Sequence, residues 1–250
     1  MRGIRGERPW RWVTRACWRR AVSGPLLAAA ALGACVTVEL PKIAHVHVGH
    51  AVTAWMDTPG NRALFDIALA EAAVAAEHAA YAVDGARDVA AVRLHLGHVL
   101  HAVDPTREAS GPGTGYGLAK AIDGCADHLG FAQEVRDASA NLKAGLPAVI
   151  GTLQPLGREA RAIAALAAEG RGATDAAAAV AYAQEARQRT TRLAGELWLA
   201  RHRLSQLLAA EQPPYRVVPR RYLFGIIRLP SGEWAFDTAT GAAPSYGGTR

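Results

Sequence analysis

Histidine is the residue type through which this chain most plainly offers chemistry. Of its nine histidines, eight fall between His45 and His128, and only His202 lies outside. Neutral imidazole is a common protein ligand for zinc, copper and haem iron, and helical bundles build such sites from facing helices. The clustering therefore points to a bound transition metal ion (zinc, copper or iron) or a non-covalent haem.

The densest run is His45-Val46-His47-Val48-Gly49-His50. In extended chain the period of two puts His45 and His47 on one face, where two imidazoles can share an ion, and Gly49 lets the backbone turn so that His50 joins them. A solvated polar strand face is the alternative. Downstream, a helical reading puts Glu71 and His78 in one stripe with Leu64, Ile67, Ala68, Ala75 and Ala82. A buried carboxylate needs a partner, so Glu71 is a metal ligand or belongs to a structural contact with His78.

His95, His98 and His101 recur every third residue. Steps of 100° make such a row spiral, so neighbours can chelate as pairs but all three cannot act together. With Val92, Leu96, Val99 and Val103 marking the core side, His95 sits at its edge and His101 points away. His98 and His101 either meet the His45–His50 segment, if it folds over that surface, or stay exposed. His128 flanks the stripe Leu118, Ile122, Cys125, Leu129, Ala132 and is placed to face His78 or His95. The candidate ligands are thus His45, His47, His50, Glu71, His78, His95, His98 and His128. No catalytic residue is assigned, although Glu71 could serve a metal-dependent hydrolase or oxidase as bridging ligand or base.

Sharper motifs are missing. Gly113-Thr114-Gly115-Tyr116-Gly117 has neither the preceding strand nor the spacing of a dinucleotide fingerprint, and there is no CxxCH, HExxH or GxSxG.

The elements that must position these side chains are mostly helical. Turn and cap signals predict helices from about Asn61 to Val83, Ala86 to Val103 and Leu118 to Ala138. Between Asn141 and Glu169, Pro147 and Pro155 predict two separate pieces. A longer helix runs from about Thr174 to Ala210, with Ala179, Ala186, Thr190, Leu193, Leu197, Ala200, Leu204 and Leu207 in one stripe. Strand formers on either side of Pro230-Ser231-Gly232 predict a hairpin. The expected fold is all-α: an antiparallel bundle of four to five helices over residues 61–210, with a short β-hairpin and tail in 211–250.

The first 34 residues have a different character. Seven arginines stand against Glu7 alone, and an apolar run of 14 residues, AVSGPLLAAAALGA, follows. That run is shorter than the roughly 18–20 residues a spanning helix needs, so it reads as a cleaved leader. Its end, Leu32-Gly33-Ala34-Cys35, resembles the lipobox of bacterial lipoproteins. The resemblance implies cleavage before Cys35 and acylation of that cysteine, giving a membrane anchor, a cell-envelope location and a segment 35–60 that acts as a histidine-rich tether.

Removing residues 1–34 takes 7 of 28 Lys+Arg and 1 of 22 Asp+Glu, leaving 21 of each. The basic pI of about 9.6 therefore belongs to the leader, and a nucleic-acid partner is set aside. Cys17 leaves with the leader and Cys35 is acylated, so Cys125 stays as a single thiol, a small buried residue or a soft ligand. A partner protein in the envelope remains open, and a structural or interaction lipoprotein without cofactor is the rival expectation.

Overall fold

The computed structural model describes residues 42–217, 220–221, 226–229 and 234–236. The leader, the lipobox and Cys35 lie outside the described residues. Six α-helices dominate: α1 (Ile43–Val52), α2 (Leu64–Asp84), α3 (Val89–Val103), α4 (Leu118–Glu134), α5 (Ala140–Gly172) and α6 (Ala176–Ala209).

Helix α1 is the main departure from expectation, since the alternation of His45 to His50 predicts extended chain. The His-Val alternation has period two, but Ala44, Val48 and Ala51 are all fully buried and stand at i, i+4, i+7, which is helical spacing. Tertiary contacts override the β-branched residues. The backbone N–H groups of Ile43 and Ala44, unpaired in any helix N-terminus, donate to the Asp137 carboxylate at 2.6 and 3.1 Å. Without a side chain at Gly49, the segment after α6 lies directly on the helix: a Cβ there would meet Val217 Cγ2 at 2.9 Å.

Helix α5 is the second departure, for it continues through Pro147 and Pro155 without a break. Each proline removes a backbone hydrogen bond and crowds the carbonyl four residues back, at a cost of about 3 kcal/mol. Against this, Leu142, Leu146, Val149, Leu153, Leu156, Ala160, Ile163 and Ala167 form one buried stripe across both prolines. Breaking the helix would lift half of that stripe off the bundle.

Helix α5 packs on α3, α4 and α6, and α2 packs on α3, α4 and α6, while α1 lies against α4. Helices α5 and α6 run antiparallel: the Asn141 amide at the start of α5 donates to the Leu207 carbonyl near the end of α6 (3.0 Å), and Gly170 at the far end abuts Tyr182. The α6 stripe expected from periodicity is buried from Ala179 to Leu204, with Leu207 half-buried. The core is alanine-rich, so the helices approach closely. Cys125 is buried within it, and burial pushes its thiol pKa up, which leaves a neutral apolar group instead of a ligand.

Past α6, Ile226–Arg228 pairs antiparallel with Trp234–Phe236, and Arg220–Arg221 pairs with Arg228 and Ile227. The turn Pro230-Ser231-Gly232 on which the hairpin expectation rests lies outside the described residues. No helix among the described residues is long and apolar enough to cross a membrane.

Candidate metal centres

Two groups of three imidazoles converge. In the first, α1 contributes His47 and His50, one helical turn apart, and α4 contributes His128. In the second, α3 contributes His95 and His98, again one turn apart, and α2 contributes His78. Within each group one ring nitrogen per residue lies within 4.8 Å of the others.

Both groups share a hub-and-spoke geometry. His128 Nδ1 lies 3.3 Å from the Nδ1 atoms of both His47 and His50. His78 Nδ1 lies 3.0 Å from that of His95 and 3.2 Å from that of His98. A ring nitrogen offers one in-plane position, either a lone pair or an N–H. It cannot serve two such partners in good geometry at once. A cation can accept all three lone pairs together: with metal–nitrogen bonds of about 2.0–2.1 Å, the edges of a tetrahedral site are about 3.3 Å.

Burial favours the neutral form that ligation needs at His47, His78, His98 and His128. The His128 pKa is pushed down to about 4 by burial and by the neighbouring His47. His47 is lowered by burial, partly offset by Asp137. His78 is lowered by burial and then by His98 and His95, against a smaller opposing effect of Glu77. His98 is lowered by burial, then by His95 and His101.

Aromatic rings wall both groups. Trp55 lies 4.1 Å from the His50 ring and 4.7 Å from His128, centroid to centroid, and Phe131 lies 5.5 Å from His47. Trp55 is held by its backbone N–H, which donates to the Asn61 and Arg62 carbonyls at 3.3 and 3.2 Å, and by Thr58 Oγ1, which donates to its carbonyl at 2.7 Å. In the second group Tyr81 lies 5.4 Å from both His78 and His95 and donates its hydroxyl to Glu77 at 2.5 Å. Trp55, Phe131 and Tyr81 were not singled out from sequence. A signal for them exists: His47-Val48-Gly49-His50 matches His95-Leu96-Gly97-His98, and Asp127-His128-Leu129-Gly130-Phe131 matches Glu77-His78-Ala79-Ala80-Tyr81.

The remaining candidates fall elsewhere. His45 does not share a face with His47, because α1 turns it by 200°. Its Nε2 meets Glu211 Oε1 at 3.3 Å, its Nδ1 meets the Arg216 carbonyl at 3.2 Å, and it is buried. Glu211 also accepts from Ser139 Oγ (2.9 Å) and Asn141 Nδ2 (2.8 Å), so His45 ties the segment after α6 to α1.

Glu71 is fully buried as expected, but it joins neither histidine group. It faces the loop before α4, where Oε1 accepts from the Thr114 backbone N–H at 2.9 Å and from its hydroxyl at 2.5 Å. Gly113, at φ 121°, packs directly on Oε2, where a side chain would collide. Glu71 is a loop clamp. His101 is buried instead of pointing away, its Nδ1 meeting the Glu108 carbonyl at 2.7 Å. His128 faces α1 and not His78 or His95, and His98 meets His78 and not the α1 histidines.

The two groups are separate centres. Leu64 and His128 line one cleft at the start of α2, whereas His78 lies 14 residues further along that helix, a distance of about 21 Å. One dinuclear site is excluded by that spacing. The chain finds no match among protein-family models, curated proteins or solved structures.

Proposed function

We propose that this chain is a metal-handling helical bundle that holds two first-row transition metal ions, one on His47, His50 and His128 and one on His78, His95 and His98. The observation that carries the reading is the convergence of three imidazole nitrogens at 3.0–3.3 Å in each of two places. Both donor sets are all-imidazole, which suits zinc or copper. Among the described residues, no carboxylate of the kind that accompanies histidine in many non-haem iron sites joins either group.

A haem is a poorer fit. Two axial nitrogens on opposite faces of one iron lie about 4 Å apart with the porphyrin between them, whereas these nitrogens are 3.0–3.3 Å apart, too close for a macrocycle to lie between them. Metal handling is accordingly favoured over haem-based electron transfer.

The reading includes lipid anchoring through Cys35 in the cell envelope, supported by the leader and lipobox. Seven residues separate Cys35 from Ile43, eight Cα–Cα steps with a reach of at most about 28 Å, so the α1–α4 centre would sit near the membrane surface. The C-terminal strand pairing is read as the expected hairpin. A second reading, an envelope interaction protein without cofactor, draws on Trp198 and Leu199 of α6, which are 57 % and 47 % exposed.

Metal and haem content of untagged protein tests the proposal. Two equivalents of zinc or copper are expected, and protein that is isolated empty and binds no added ion would refute it. A Cys35→Ser variant is expected in the soluble fraction; its retention on membranes after leader cleavage would refute the anchor.

A further inference from the structure

The α1–α4 centre borders a cleft of about 470 Å3 whose lining includes Trp55, Tyr116, Lys120, Asp123, Asp127 and His128. Trp55 and His128 belong to both. Among the described residues no fourth histidine, cysteine or carboxylate joins His47, His50 and His128. Structural zinc sites are closed by four protein ligands, and three-ligand sites leave a position for an exchangeable one.

Resting on the metal reading above, we propose that this cleft receives a second, non-protein ligand of the ion at His47, His50 and His128, and that it selects small neutral nitrogen donors over anions. The selection follows from charge. The lining carries Asp57, Asp104, Asp123 and Asp127 against Lys120 and Arg161. Both cations are already engaged: Lys120 Nζ lies 3.2 Å from Asp57 Oδ2 and 4.0 Å from the Tyr116 ring centroid, and Arg161 Nη1 lies 2.5 Å from Asp123 Oδ2. Tyr116 donates its hydroxyl to Asp57 at 2.9 Å, which fixes the wall. The two surplus carboxylates balance a divalent ion, so an entering anion finds no net positive charge and no uncommitted lysine or arginine in the lining. A neutral imidazole needs no such attraction and brings its own lone pair.

The test uses the full chain carrying His95→Ala and His98→Ala, loaded with cobalt(II) so that only the α1–α4 centre is filled, and follows its visible bands. One cobalt per chain with four-coordinate bands is expected; no uptake would overturn the metal reading itself. Added imidazole is expected to change the bands saturably while cobalt stays with the protein on desalting, and azide to bind at least about tenfold more weakly. Bands that ignore imidazole, cobalt stripped by it, or azide binding as tightly would overturn the proposal while leaving the metal reading intact. Asp127→Lys, at an exposed position, is expected to tighten azide binding several-fold; unchanged azide binding would count against charge selection.

Discussion

The Nδ1 atoms of His78 and His95 lie 3.0 Å apart across the α2–α3 interface, with His98 Nδ1 3.2 Å from the same His78 atom. His78 is the nitrogen that both others approach, and His128 holds the same place in the other centre. Replacing a hub should therefore cost more than replacing a spoke. His78→Ala and His128→Ala are each expected to remove one of two ions, weakening the affected site by about two orders of magnitude and leaving the other unchanged. Metal analysis after dialysis, with competition by a chromogenic chelator, reads both quantities. Loss of both ions in either single variant would contradict two independent centres.

Trp55 gives the α1–α4 centre its own reporter. Its ring is 4.1 Å from His50, close enough for a paramagnetic ion there to quench its emission. Copper(II) titration is expected to quench the wild-type protein strongly. Trp55→Phe should lose most of that quenching, and His78→Ala should keep it.

How much of this was legible in the sequence differs from residue to residue. The stripes of α2, α4 and α6 could be read because their burial follows a 3.6-residue period written in Ala, Leu and Ile. The clustering of histidines marked the right region, and His95 and His98 behave as the adjacent pair their spacing allows. Helix α1 could not be read this way, because His45, Val46, His47 and Val48 alternate as a strand would. What decides their conformation is Asp137, 94 positions from Ile43. The burial of Glu71 follows from its stripe but its partner does not, since Thr114, which donates twice to Oε1, belongs to a loop whose path a sequence does not disclose. The pairing of His128 with α1 depends on which helices are neighbours, and that is a property of the packed bundle.

His45 and Glu211 form a buried pair that should matter for stability and not for metal. His45→Ala leaves the Glu211 carboxylate short of a partner in the interior, at a cost of about 1–3 kcal/mol. Chemical denaturation of the metal-free variant is expected to show that loss, with the metal stoichiometry still two. A missing ion in His45→Ala would restore it to the ligand set.

The metal-free protein should weaken on mild acidification. His128 is held near pKa 4 in the folded chain, and an unfolded histidine titrates near 6.5. The unfolded state therefore binds the proton first, so stability present above pH 6.5 is lost as pH falls toward about 4. The melting temperature of the metal-free protein is expected to drop across that window. His128→Phe should flatten the slope there, and an unchanged slope would contradict the assignment.

The two centres also differ in how far apart along the chain their parts are made. His78 is 17 and 20 residues from His95 and His98, so a single helical hairpin assembles that centre. His47 and His50 must wait 81 and 78 residues for His128, and their helix is pinned by Asp137 and Glu211, which come later still. Closing the longer loop costs about 1 kcal/mol more in chain entropy, and non-local contacts form slowly. On the proposed metal reading, the α2–α3 hairpin brings its three ligands together by local contacts alone. On the same reading, the α1–α4 centre forms only after α1 has docked on α4 from the far side of the sequence, so occupancy there would report long-range closure of the chain.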